Sequence, residues 1–121
     1  MMTVPGHRHE RIGEEILHEL SAMLEGELQD PRISDMASVT EVRVTPDLKT
    51  AKVFVSVRAG EEEQSATLAA LASASGYIRI ELGQRLRMRR SPELLFVLDR
   101  SEEYGERIEK LLRETKHSSD S

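Results

Sequence analysis

Apolar residues recur at helical spacing near the start of the chain. Ile12, Ile16, Leu17, Leu20, Met23, Leu24 and Leu28 form one stripe, while Glu14, Glu15, Glu19 and Glu25 take the other faces. The stripe predicts a helix over 8–28, closed at Asp30-Pro31 because the residue before a proline avoids helical backbone angles. The period then falls to two. Residues 39–45 are rich in β-branched side chains, Pro46-Asp47 reads as a turn, and residues 51–58 alternate cleanly. In that second strand Ala51, Val53, Val55 and Val57 share one face and Lys52, Phe54, Ser56 and Arg58 the other. The first strand alternates through Val42 and Val44, but Val39 is out of phase, which predicts a bulge.

After Ala59-Gly60, three glutamates (Glu61, Glu62, Glu63) stand where carboxylates complement the positive end of a helix dipole. An alanine- and leucine-rich stretch follows, with a break at Ala74-Ser75-Gly76. Helical spacing resumes through Ile78, Leu82 and Leu86, to about residue 87. Residues 94–98 form a third apolar strand, and Ser101 is placed to cap a last helix whose sparse apolar side is Ile108, Leu111 and Leu112. The order predicts an α+β fold: a three-stranded sheet with helices on one face, helix-strand-strand-helix-kink-helix-strand, as in the type II KH domain. Four segments are expected: a flexible N-terminus (1–7), the KH-like domain (8–100), a C-terminal helical extension (101–115) and a disordered tail (116–121).

A chain of 121 residues is one domain with a core that needs no staples. It has no cysteine, so disulfides, thiolate metal sites and cysteine nucleophiles are excluded, and a reducing compartment is expected. The opening residues contain no apolar segment and do not read as a secretory signal. With no long apolar run anywhere, the expectation is a cytoplasmic protein that makes no membrane contact. Phosphate-binding and dinucleotide loops and the His-Glu-x-x-His motif are all missing. His7 and His9 lie in the expected mobile N-terminus and read as solvated, and His18 has no nucleophile set around it. No metal, cofactor or catalytic residue is therefore assigned, and a small enzyme is the weakest of the readings.

Charge changes the picture. The net charge is −5, yet residues 76–92 hold five arginines (Arg79, Arg85, Arg87, Arg89, Arg90) against Glu81 alone. An acidic body with one basic segment fits selective docking on RNA, since phosphates respond to the field within a Debye length of about 8–10 Å. Each guanidinium is a planar fork that matches phosphate geometry. The plainer alternative is a solvated face paired to glutamates. The break matters by position: Gly76 can adopt positive φ or admit a ligand close to the backbone, and it opens a helix whose amides suit a phosphate. An ordinary KH domain clamps its strand with a GxxG loop at this place, and the sequence contains no GxxG.

Several local patterns then fall in one order. They are Arg8-x-x-Arg11, Asp30-Pro31-Arg32, Asp47-Leu48, Ala51-Lys52-Val53-Phe54-Val55 and Ala74-Ser75-Gly76-Tyr77-Ile78-Arg79. Leu86-Arg87-x-Arg89, Pro92-Glu93-Leu94-x-Phe96, Asp99-x-Ser101 and Gly105-x-Arg107-Ile108 follow. Over residues 8–113 the chain resembles the bacterial ribosome-binding factor A family, in which an Ala-x-Gly kink (Ala74, Ser75, Gly76) replaces GxxG. The resemblance implies a non-catalytic maturation factor for the small (30S) ribosomal subunit. It implies contact with precursor 16S rRNA near its 5′-end helix and the neck, support of growth in the cold, and no cofactor. On that reading a monomer would grip rRNA backbone through Arg79, Arg85, Arg87, Arg89 and Arg90, with Lys49, Lys52, Arg8 and Arg11 widening the footprint. The alternative from a different class is a protein-interaction module whose arginines meet an acidic partner.

Overall fold

A computed structural model describes residues 7–119, with side chains to residue 115. Its elements are α1 (Arg8–Gly26), β1 (Ala37–Val44), β2 (Thr50–Val57), α2 (Glu61–Ser73), α3 (Ser75–Arg85), β3 (Glu93–Leu98) and α4 (Ser101–Ser119). The sheet order is β1-β2-β3; β1 and β2 are antiparallel, β2 and β3 parallel. A parallel neighbour cannot be reached by a tight turn, so the α2–α3 pair is the crossover from β2 to β3. Element order and sheet are those expected of the type II KH arrangement. Residues 1–6 of the expected flexible N-terminus lie outside the described residues, as do Asp120 and Ser121 of the expected disordered tail; residues 116–119 of that tail instead continue helix α4, which passes the expected end at 115.

The core is the meeting of the predicted stripes. Ile12, Ile16, Leu20 and Met23 of α1 are buried against Ala51, Val53, Val55 and Val57 of β2, with Leu71, Ile78, Leu82 and Leu94 completing the cluster. The period of two in β2 is thus realised residue for residue. The bulge is also present, as a register shift between Val39 and Glu41. Close approach of α1 to β1 depends on Gly13: a Cβ there would lie 2.7 Å from the Val42 carbonyl oxygen.

Boundaries differ from the expectation where side chains, not periodicity, stop an element. Helix α1 ends at Gly26 rather than 28, and the N–H groups of Glu27 and Leu28 both turn back onto Met23 O. Asp30 then accepts the Arg32 N–H at 2.9 Å, fixing a turn. Strand β1 starts two residues early, at Ala37. Ser101 is not the cap of α4. Its N–H donates to Asp99 Oδ1 at 2.8 Å, so Asp99 supplies the capping carboxylate. The apolar side of α4 stays open: Tyr104, Leu111 and Leu112 are each more than half exposed.

The α2–α3 break is a single residue. Ala74 has φ −85° and ψ −2°; its N–H bonds Ala70 O, and its carbonyl accepts the Ile78 N–H at 2.9 Å. Gly76 lies within α3, is not among the residues of positive φ, and has nothing within 4 Å of where a Cβ would stand. The chain turns at Ala74 because that small side chain packs against the core at the helix junction. The conformational demand expected at Gly76 is absent.

Candidate nucleic-acid interface

Three separate elements bring cations to one place. The first turn of α1 presents Arg8 and Arg11, the β1–β2 turn presents Lys49, and α3 with the loop after it presents Arg79, Arg87, Arg89 and Arg90. These seven side chains line one cleft of about 840 Å³, and they share it with only three carboxylates, Glu15, Asp47 and Glu93. All seven are exposed.

Each wall has a local cause. In the hairpin turn the Leu48 N–H bonds Thr45 O at 2.8 Å, and Asp47 accepts both the Thr45 hydroxyl and the Lys49 N–H. Leu48 is held at φ 63° and its side chain packs on the core margin. The Thr45 hydroxyl, then the Lys49 N–H, hold the Asp47 carboxyl below its ordinary pKa, so Asp47 is an internally engaged anion that orients the turn.

The loop after α3 is built on the end of the helix. The Met88 N–H bonds Gly83 O at 2.8 Å and the Arg87 N–H bonds Gln84 O at 3.4 Å, while Arg87 sits at φ 53°. That is the Schellman arrangement, in which one left-handed residue satisfies the last helical carbonyls. The return of the chain is clamped from α3. Arg79 donates Nε–H to Pro92 O and an Nη2 hydrogen to Ser91 O, both at 3.1 Å, and the Ser91 hydroxyl donates back to Arg79 O. Gly83 permits the closure, since a Cβ there would stand 3.1 Å from Ser91 Oγ. The consequence is that Arg87, Arg89 and Arg90 project from a held loop, and their side chains make no hydrogen bond or ion pair among the described residues.

Two expected residues are elsewhere. Arg85 is half-buried and bonds Glu27 at 2.5 Å, Glu81 at 3.1 Å and Glu19 at 3.4 Å. These carboxylates, Glu27 first, drive its pKa still higher, and it clasps α3 to the end of α1. Lys52 is on the open face of the sheet, its Nζ 5.5 Å from the centre of the Phe54 ring, which Arg43 also covers at 5.3 Å. Of the kink residues, Gly76 borders a shallower groove of about 460 Å³ that shares Arg79, Met88, Arg89 and Ser91 with the basic cleft. Ala74 and Ser75 line neither. Sequence reasoning missed the roles of Ser91 and Asp47; the only signal was their position next to Pro92 and Pro46, where turns are commonly tied by short polar side chains.

Among the described residues no group of His, Asp and Glu is placed to hold a metal ion, and no helix is long and apolar enough to cross a membrane. What the cleft can do is bind: guanidinium and ammonium groups gathered on three walls suit a phosphate-bearing chain.

Residues 8–112 match the family model described as Ribosome-binding factor A. The ribosome-binding factor A of Acetivibrio thermocellus is 52% identical over 108 residues, covering 89% of this chain and 88% of that protein. The crystal structure of ribosome-binding factor A from Thermus thermophilus superposes with a TM-score of 0.64 at 29% identity, covering 74% of this chain and 94% of that one. A homology model of the Thermus thermophilus factor, as fitted into the cryo-EM map of its complex with 30S, is similar with a TM-score of 0.57 at 30% identity. That match covers 79% of this chain and 96% of the other.

Proposed function

Because this chain belongs to the ribosome-binding factor A family, we propose that it binds the small ribosomal subunit and serves its maturation, gripping the backbone of precursor 16S rRNA in the basic cleft. The observation that carries this reading is the convergence of Arg8, Arg11, Lys49, Arg79, Arg87, Arg89 and Arg90 on one cleft from three stretches of sequence. In a chain of net charge −5 such a cluster is a local exception, and the acidic remainder disfavours indiscriminate polyanion binding. The 30S subunit as partner is carried over from the Thermus thermophilus factor, which is described in complex with it.

In this role the protein binds and breaks no bonds. Phosphate contacts position the cleft along rRNA backbone, and differential affinity for one rRNA conformer shifts the subunit's population toward it. The 5′-end helix and neck of the rRNA are the region we assign. Arg79 works from within the wall, fixing the loop that displays its three neighbours. Arg85, held by three carboxylates, contributes to the frame that presents the cleft, and Lys52 marks a separate patch on the sheet.

Fractionation of a cell lysate on a sucrose gradient tests the reading. The protein is expected to travel with immature small subunits, and nuclease treatment is expected to release it. Recovery only in the soluble top fractions, at low salt and low magnesium, would count decisively against a subunit-binding role. Retention on a ribonuclease-resistant protein partner would favour the interaction-module alternative.

A further inference from the structure

The basic cleft occupies one end of α1; a second and larger cleft, about 990 Å³, lies at the other end. Its floor is apolar, made by Leu24, Leu28, Ile33 and Val39 at the margin of the core. Its rim is acidic, with Glu25, Asp35 and Glu63. Arg32 also lines it, but its guanidinium is forked onto Asp30, Nε at 3.1 Å and Nη2 at 2.8 Å. That pair cancels and leaves three carboxylates without an ion-pair partner among the described residues. Glu63 accepts the Ser34 hydroxyl at 3.0 Å, which ties it to the loop that leads into β1.

One wall is the first half of β1. This strand has β2 as its only partner, so its outer edge has no ladder neighbour among the described residues. At Gly13 helix α1 closes against Val42; beyond the bulge between Val39 and Glu41, at Ala37, Ser38 and Val39, the groove is open. The Ala37 N–H already bonds Ser34 O at 3.1 Å, so the open part of the edge begins beyond it, towards Val39; an edge without a ladder partner beside an apolar floor is a template for another extended chain.

We infer that this groove takes an extended, lysine- or arginine-rich peptide segment with alternating apolar residues, added as a strand to the outer edge of β1. Main-chain hydrogen bonds to β1 would set its register. With a side-chain period of two, one face of the added strand drops apolar groups onto Leu24 and Ile33, and the other carries cations to Glu25, Asp35 and Glu63. The charge pattern rejects the rival occupants. Polyanionic RNA meets three uncompensated carboxylates. A second copy paired edge to edge would set two such acidic rims against each other. Helix α1 has 19 residues, about 28 Å at 1.5 Å per residue, so its two ends select partners of opposite charge at that separation.

The full chain, labelled with ¹⁵N, is titrated with the end-capped heptapeptide Lys-Val-Lys-Val-Lys-Val-Lys and followed by NMR. Amide shifts are expected at Ile33 and at Ala37, Ser38 and Val39, and not in the basic cleft. The double variant Glu25→Lys with Asp35→Lys, exposed and expected to fold, should weaken binding about tenfold, the order set by two exposed charge pairs. Replacing Lys by Glu in the peptide should abolish binding, and N-methylation at alternate residues should do so in at least one of the two phases. Arg87→Ala should bind the peptide unchanged. Absence of binding at millimolar peptide, shifts confined to the basic cleft, or equal binding of the Glu peptide would each overturn the inference. So would undiminished binding of both N-methylated peptides, or self-association of the free protein through the same amides.

Discussion

Arg87 holds a backbone conformation that glycine adopts freely and that costs an L-residue about 1–2 kcal/mol. A non-glycine at φ 53°, in the middle of the basic cleft, is a local strain retained beside a site. Arg87→Gly is therefore expected to raise stability by about 1 kcal/mol, whereas Arg87→Ala leaves it nearly unchanged because the strain stays. Both variants remove the charge, and both are expected to flatten the salt dependence of subunit binding by about one unit of log–log slope. Thermal melts and binding titrations at several salt concentrations check the two halves separately. A second residue-scale outcome concerns acid. Asp47, Asp99 and Asp30 are all held below the ordinary carboxylate value by hydrogen bonds from Thr45, from Ser101 and Thr40, and from Arg32. A folded pKa below the unfolded one means that the unfolded chain takes up protons first as pH falls. The stabilisation is then whole above about pH 4 and drains away as pH drops through the folded values. Melting temperatures between pH 6 and pH 2.5 should decline at the acid end, and Asp47→Asn should decline less steeply than the parent.

At the scale of elements, two glycines behave in opposite ways. Gly13→Ala would drive a Cβ into a backbone carbonyl 2.7 Å away, a contact that neither α1 nor β1 can relieve by turning a side chain. Overpacking of this kind costs about 1–3 kcal/mol, to be read from denaturant midpoints. Gly76 sits in a helix facing open space, so Gly76→Ala is expected to stabilise by about 0.5–1 kcal/mol through helix propensity. A Gly76→Ala protein that melts lower than the parent would contradict this. Much of the element layout was legible: the burial of Ala51, Val53, Val55 and Val57, the bulge beside Val39 and the division of the α2–α3 segment all follow from periodicity. Periodicity names faces, not partners. It could not show that Thr67, fully buried, accepts the Ser34 N–H at 3.0 Å, or that Gln64 donates to Ala59 O at 3.0 Å. It read Ala74-Ser75-Gly76 as a glycine-centred break, since glycine is the usual punctuator, whereas the chain turns on Ala74 for reasons of packing.

Across the whole molecule, the cluster of arginines was visible as a charge run, but its sorting was not. Arg85 finds Glu19 and Glu27 at sequence separations of 66 and 58 residues, and nothing in a linear charge count reveals that pairing. Arg8, Arg11 and Lys49 join the cleft only through the packing of α1 along β1. With Arg79 engaged in the wall, six cations remain free to release counterions. The log–log salt slope of subunit binding is then expected near −4 to −5, measured by co-sedimentation over a range of potassium concentrations. A slope near −1 would mean that most of these charges meet solvent only.

The parallel seating of β3 on β2 bears on when the cleft comes into being. The hairpin and α1 can assemble from neighbouring sequence, but β3 emerges late and must cross the full α2–α3 excursion before the Glu93 N–H reaches Lys49 O at 2.8 Å. Non-local pairing of this kind is slow relative to helices and hairpins, and although α3 holds the loop from 86 to 92 by local contacts, the loop is not seated beside Lys49 until that pairing is made. Arg87, Arg89 and Arg90 therefore lack a common geometry with Lys49 until nearly the last strand is in place. A chain still on the ribosome that makes it, or one stalled short of β3, carries the charges without the cleft. On the proposed function, competence to recognise the subunit arrives together with completion of the fold, and an unfinished copy is not expected to compete with a finished one.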